Sequence, residues 1–485
     1  MLGQQLSDVF GSLPAPITAQ APHVKAPGIA RLAPLSALAL LLIAGRGNAT
    51  ELVWDGSYRM RARYFDSLSL SDTNDYAEGS SFGFDHRLRL QPGWLLSDRV
   101  AIYTQVDLLP FVSWGDTADT TEAFTGDELP IAYSQSVGSP TTDEGAATLQ
   151  NIRVTRAWAE ADLGFGRLRF GRVPVQWGSG LVWNAGNDAL SEYGDTADRI
   201  QLTSLVGPVY VIGAFDVPFE GYLNQRDDFS GLVAGVLYET ETKALGTYNT
   251  FRWMNNTDDG TSYKAFIGDV WGWAQMGQAE VELELATVAA GGDLDTGEND
   301  IRVLSFGGNL GIKVPIEKIR LGLDVGYASG DKDETDSALH VFSFDPDFNR
   351  TLILFEEPLP TLEAGTANSS NGGRTYDAMR TGDGISNAVY LRPSVGYQLR
   401  EDLSGHLSLF AAQKARVADD LKSTRGYGLE VDADVYYAPV EFFNLHATGG
   451  FLLPGKYYTE FEDDKYGSGF DQPAFGLRLV GEAHF

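Results

Sequence analysis

The sequence predicts an all-β protein, a transmembrane antiparallel up-and-down barrel of about 18 strands (16 to 18), and three observations predict it. Segments of about ten residues alternate between apolar and polar side chains along most of the chain, as strands do when one face meets lipid and the other water. Beyond the amino-terminal region no apolar run approaches the roughly 20 residues that a membrane-spanning helix needs. The final segment, residues 475–485, places Phe475, Leu477, Leu479, Ala483 and the terminal Phe485 on one face, with Arg478, Glu482 and His484 on the other. A chain that crosses lipid without helices must cross as a closed barrel, because hydrocarbon leaves a free strand edge without hydrogen-bond partners.

Composition agrees. The 485 residues include no cysteine, 55 glycines and 66 acidic against 36 basic residues. Absence of cysteine fits an extracytoplasmic protein that does not rely on disulfides, and the strong acidity argues against nucleic acid, whose phosphates need a basic surface. No linker divides the chain.

Taken in order, residues 32–43 form an apolar run preceded by Lys25 and Arg31 and followed by the small residues Gly47 and Ala49. That is the order of a secretory signal, with cleavage expected after Ala49. Residues 1–49 are therefore read as a signal peptide with an amino-terminal extension, and 50–485 as the barrel. In the first strand Trp54, Tyr58, Met60, Ala62 and Tyr64 oppose Asp55, Ser57, Arg59, Arg61 and Arg63. The second sets Phe82, Phe84, Leu88 and Leu90 against Asp85, Arg87, Arg89 and Gln91, and the third Val100, Ile102, Val106 and Leu108 against Arg99, Gln105 and Asp107. Further strands are expected near 151–162, 166–174, 198–206, 208–217, 231–240, 243–254, 261–271, 278–288, 301–313, 318–328, 386–398, 403–413, 427–438, 441–453 and 474–485. The even total suits a single-chain bacterial barrel.

Connections of two lengths orient it. Short turns at 97–98, 164–166, 315–318 and 401–402 suit the periplasmic rim, and the longer segments 110–150, 330–384 and 456–473 suit the outside. The 330–384 loop carries an apolar piece, residues 351–355, so it is expected to fold either into the lumen or as an external cap.

The candidate functional residues are lumen charges. Arg59, Arg61, Arg63, Arg87, Arg89, Arg167 and Arg169 all oppose apolar faces. Since an arginine facing mid-bilayer lipid costs about 2 to 4 kcal/mol, they are expected to point inward. Glu280, Glu282, Glu284, Asp324, Glu430, Asp432 and Asp434 supply the opposite sign on later strands. Two walls of opposite charge would set a transverse field across a water-filled pore; the plainer alternative is that they pair and fill the interior. Acidic stretches in the loops, among them 116–127, 331–336 and 460–464, could share divalent cations with lipopolysaccharide, although 331–336 lacks the glycine and terminal glutamate of a calcium loop. The six histidines show no close metal spacing, so neither a catalytic residue, a metal site nor a cofactor is expected. His86, on the apolar register of its strand, is the one candidate for a lipase-like site.

Three segments resemble known material. Residues 168–174 (Leu-Arg-Phe-Gly-Arg-Val-Pro) with Trp177-Gly178 and Gly180-Leu181 resemble the strand and turn of alginate-export-type outer-membrane barrels and their uncharacterised myxobacterial relatives. Residues 428–432 with Tyr436-Tyr437 are similar to a strand near the end of that family's barrel, and residues 451–455 to its following rim turn. The resemblance implies an 18-stranded, porin-like channel in the bacterial outer membrane whose arginines, here Arg59, Arg61, Arg87, Arg89, Arg169 and Arg172, face an anionic polysaccharide. The acidic strands depart from that picture, because they would repel a polyanion. The resulting expectation is a monomeric passive or export channel for small hydrophilic solutes or an anionic polysaccharide. It would be surrounded by outer-membrane lipid and lipopolysaccharide and inserted through the signal ending at Phe485. The alternative is a plugged barrel serving as an adhesin or scaffold.

Overall fold

The computed structural model describes residues 51–66, 80–115, 152–217, 230–255, 262–293, 301–332, 338–356, 384–417, 425–459, 462–463, 467–468 and 472–485. The expected signal segment, the acidic stretch 116–127 and most of 331–336 and 460–464 lie outside the described residues.

Eighteen strands form the wall: β1 (Glu51–Asp66), β2 (Ser80–Ser97), β3 (Val100–Gly115), β4 (Ile152–Asp162), β5 (Arg167–Pro174), β6 (Thr196–Val206), β7 (Val209–Val217), β8 (Ser230–Glu239), β9 (Lys243–Asn255), β10 (Ser262–Met276), β11 (Ala279–Asp293), β12 (Ile301–Ile316), β13 (Ile319–Ala328), β14 (Ala388–Arg400), β15 (Leu403–Lys414), β16 (Gly426–Val440), β17 (Phe443–Pro454) and β18 (Ala474–His484). Each pairs antiparallel with its sequence neighbours. β1 also pairs with β18, from Ser57 opposite His484 to Asp66 opposite Phe475, which closes the sheet. At the seam Gly56 and Phe485 exchange both backbone hydrogen bonds, at 3.0 and 3.1 Å. No edge is left to hydrocarbon.

Every expected strand is present, and several run two to six residues further than alternation alone indicated. The short turns fall where expected and gather on one rim; Gly164, Gly207 and Gly277 take positive φ there, a conformation that only glycine adopts without cost. Alternation sorts the side chains as it should. Ile200, Leu232, Leu245, Leu304 and Phe306 are all more than half exposed on the outer face, while Arg59, Arg61, Arg63, Asp85, Arg87 and Asp107 are buried on the inner one. Among the described residues no helix is long and apolar enough to cross a membrane.

Among the described residues, two connections fold into the barrel. The first inner segment, residues 175–195 between β5 and β6, buries Val175, Trp177, Leu181 and Ala185. Trp177 stacks on Tyr248 of β9 with ring centres 5.3 Å apart, amid Ile212, Val233, Leu237 and Trp271 from the surrounding wall. The second, residues 342–356 between β13 and β14, buries Phe342, Phe344, Phe348 and all of residues 351–355. It packs against inward-facing Phe65, Tyr390, Phe410, Tyr427 and Leu452. Of the two dispositions open for residues 351–355, the inward one is adopted. The first inner segment was not anticipated as a separate feature; its Trp177, Leu181 and Trp183 were a signal, since a solvated loop gains nothing from such side chains.

Candidate functional site

The site is the charged lumen between the walls and the two inner segments. On the basic side β1 presents Arg59, Arg61 and Arg63 at alternate positions, all three inward. Asp85, on the neighbouring β2, binds Arg59 at 3.0 Å and Arg61 at 2.7 Å, with Arg63 at 3.5 Å. One carboxylate among three guanidinium groups leaves most of their hydrogen-bond donors for other partners. Arg61 also pairs with Glu192 of the first inner segment. There the Arg61, Arg59 and Arg63 charges overcome the effect of burial and hold the Glu192 carboxyl below its ordinary range.

The remaining donors seize the backbone of the first inner segment. Arg59 Nη1 donates to the carbonyl of Ala189 (2.9 Å), Arg87 Nη1 to Ser191 (2.7 Å) and Arg89 Nη1 to Gly186 (2.9 Å). Arg156 of β4 donates to the Ala185 carbonyl and, at 2.9 Å, to Asn187 Oδ1. Arg89 is meanwhile held in bidentate fashion by Asp107 of β3, at 2.9 and 3.0 Å. Arg169 binds Glu160 at 2.8 Å with Arg167 at 3.7 Å from the same carboxylate, and Arg199 of β6 is bidentate to Asp216, at 2.8 and 2.7 Å. Arg153, Arg156 and Arg199 were not singled out from sequence, although the parity of their strands would have found the last two.

Arg172 corrects the family-based expectation of a polymer-facing cation. It shares the parity of outward Leu168 and Phe170, opposes outward Ala157, and pairs at 2.6 Å with Asp198 in a bridge whose side chains are nearly half exposed. A two-residue period cannot put Arg169 and Arg172 on the same face.

Across the lumen the acidic residues hold the opposite end of the peptide unit. Glu284 accepts from the backbone N–H and the hydroxyl of Ser179, both at 2.6 Å. Neighbouring Gly178 takes φ +54°, and a Cβ there would lie 2.5 Å from the same carboxylate, so only glycine lets the chain come this close. Glu430 accepts from the N–H groups of Leu352 (2.9 Å), Ile353 (2.8 Å) and Leu354 (2.7 Å). Asp432 lies two residues on, buried against Gly450. Asp434 is reached by Thr448 Oγ1 at 2.9 Å, His446 at 3.0 Å and His406 at 3.5 Å. Asp324 pairs with Arg392 at 3.3 Å, and Glu282 accepts from Trp271 Nε1 at 2.9 Å; Glu280 stands opposite Lys313 near the short-turn rim. The seven acidic residues therefore do not form one patch.

The inner segments also meet each other. Asp345 N–H donates to the Leu181 carbonyl at 2.8 Å. Asp347 accepts from the N–H groups of Glu192 (2.7 Å), Tyr193 (3.1 Å) and Gly194 (2.8 Å). Beside this junction burial pushes the Asp195 carboxyl up to about 6, and burial with the charges of Asp195 and Asp347 pushes Asp345 up to about 10.

Two small cavities lie among these groups. One, of about 30 Å³, is lined by Arg59, Arg87, Arg89, Arg153 and Arg156 with Asp107 and Glu192, giving five guanidinium groups to two carboxylates. The other, of about 40 Å³, sets Arg61, Arg63 and Arg478 against Glu192, Asp347 and Glu356, and so is balanced. The first therefore carries a net positive field in a low-dielectric setting. His86 faces outward, as its register requires, and is buried with Nδ1 3.1 Å from the Tyr58 hydroxyl. Among the described residues no group of three or more His, Cys, Asp or Glu side chains is arranged to hold a metal.

No protein-family model matches the chain and no curated protein matches it in sequence, so the alginate-export resemblance gains no support. Solved structures similar to it include an anion-selective porin from Comamonas acidovorans (12% identity, 90% of this chain and 100% of that one, TM-score 0.43). OpdO from Pseudomonas aeruginosa is another (12%, 89% and 97%, 0.48), as is OmpT, an outer membrane protein of Vibrio cholerae (10%, 91% and 99%, 0.37). The even strand number, the closure without an edge and the apolar outer face define a bacterial outer-membrane barrel on the coordinates of this chain alone.

Proposed function

We propose that the protein is a porin-like channel that lets small hydrophilic solutes, preferentially anions, diffuse across the outer membrane. The observation that carries this reading is the excess of guanidinium groups around the cavity beside the first inner segment. A positive field at a narrowing raises the local anion concentration and repels cations, with no deep binding site needed. The inner segments narrow the lumen from two sides, which fits small solutes better than a polysaccharide chain. Lipid and lipopolysaccharide surround the barrel, Phe485 serves the insertion machinery, and the chain works as a monomer. No catalytic step enters this reading.

Purified protein in a planar bilayer under a salt gradient tests it. The expected reversal potential has the sign of anion selectivity, and the double variant Arg87→Ala/Arg89→Ala should lower the anion-to-cation permeability ratio about threefold or more. Absence of conductance in the unaltered protein rejects the channel. An unchanged ratio in the variant rejects the arginines as its selectivity element.

A further inference from the structure

We propose that Asp347 is a positioning residue that latches the second inner segment onto the first and thereby sets the far side of the arginine-lined cavity. The inference rests on the channel reading only where it concerns conduction. Three successive N–H groups, those of Glu192, Tyr193 and Gly194, converge on this one carboxylate. They converge because Gly194 takes φ +67°, which turns the backbone into a concave nest of the kind that binds anions. The nest is packed from behind, since a Cβ on Gly186 would lie 2.5 Å from the Gly194 Cα. An internal carboxylate, 8% exposed, thus occupies an anion site that adjoins the cavity.

What the nest holds in place is the cavity itself. Glu192, Tyr193 and Gly194 line it opposite Arg87, Arg89 and Arg153, and the Glu192 side chain pairs with Arg61. Asp347 is fixed in turn: its own N–H donates to Asp345 Oδ1 at 2.8 Å, and its segment is held by Glu430 through Leu352, Ile353 and Leu354. A continuous chain of contacts therefore runs from β16 through Glu430, Asp347 and the nest to Arg61 on β1. Asp347 is its middle link, beside the contact of Asp345 with the Leu181 carbonyl.

The chain's lack of cysteine supplies the test. Ala189→Cys places a single thiol on the first inner segment, and its reaction with a charged maleimide is followed in the full-length protein, refolded in detergent. Heat-dependent gel mobility verifies that the barrel is closed. Adding Asp347→Ala should speed labelling about tenfold or more, the consequence of losing charge-assisted hydrogen bonds that hold the segment down, with Asp347→Asn in between. Conductance should rise in the same order, and the anion-to-cation permeability ratio should fall as the nest leaves the arginines. Equal labelling rates in all three closed barrels would overturn the latch whatever the conductance. Faster labelling without any conductance would keep the latch and remove the channel. Should Asp347→Ala fail to close, Asp347→Asn alone decides: a rate equal to that of the Ala189→Cys parent counts against the proposal.

Discussion

The basic wall of β1, β2 and β4 and the acidic residues of β11 and β16 carry opposite charges, yet both spend much of them on the same task. Arginines grip carbonyl oxygens, at Gly186, Ala189 and Ser191; glutamates grip N–H groups, at Ser179 and at Leu352, Ile353 and Leu354. The sign of a wall residue decides which pole of the peptide dipole it can hold, so a barrel with mixed walls can pin an inner segment from either side. The difference lies in what is left over. A guanidinium group has five donors, so Arg59 and Arg89 each hold a carbonyl and a carboxylate and still line the cavity. A carboxylate that already accepts three N–H groups has little left to offer a solute. The basic wall is thus both anchor and lining, whereas Glu430 is anchor alone.

That contrast is sharpest at Glu430. Glu430→Ala leaves three buried N–H groups without their acceptor, at about 1 to 3 kcal/mol each before relaxation. Hydrogen exchange at residues 352–354 should accelerate about a hundredfold or more, with Glu430→Gln closer to the unaltered protein. Protection unchanged in Glu430→Ala would remove Glu430 as an anchor. A smaller effect follows from pH. Asp195 and Asp345 have carboxyls raised above the ordinary range, so the folded state holds protons that the unfolded state releases. Their contribution is fully present below about pH 4, the unfolded value. It is lost as pH rises, through about 6 for Asp195 and toward about 10 for Asp345. Asp347 adds repulsion at this junction and Arg252 attraction. Near-ultraviolet circular dichroism from packed Trp177 and Trp183 should therefore melt at a lower temperature at pH 9 than at pH 5; a midpoint that does not fall would contradict the shared burial of these acids. Smallest of all is Arg172→Ala. Its bridge to Asp198 is half solvated and lies outside the lumen, so a change of under about 1 kcal/mol in urea stability and none in ion selectivity are expected. A selectivity shift there would mean that Arg172 reaches the pore.

The wall was legible because its rule is local. Two-residue periodicity located all eighteen strands and turned Arg59, Arg61, Arg63, Arg87 and Arg89 inward from lipid cost alone. The same rule, applied to Arg172, would have sent it outward; the family resemblance drew it inward instead. The contents of the lumen were less legible, for a physical reason. Residues 175–195 have no period, and what holds them is backbone, which gives no sequence signal. Nothing in the one-dimensional pattern tells Glu430 that its partners are the amides of residues 352–354. The apolar run at 351–355 did suggest an interior position, but not which wall it would meet.

Anchors that hold main chain are indifferent to side-chain identity. At Ala189 the group bound by Arg59 is a carbonyl that any residue would supply, while neighbouring Asp188 and Tyr193 carry exposed side chains. Under the proposed channel function, natural variation at such positions would rewrite the face shown to a solute without loosening the scaffold beneath it.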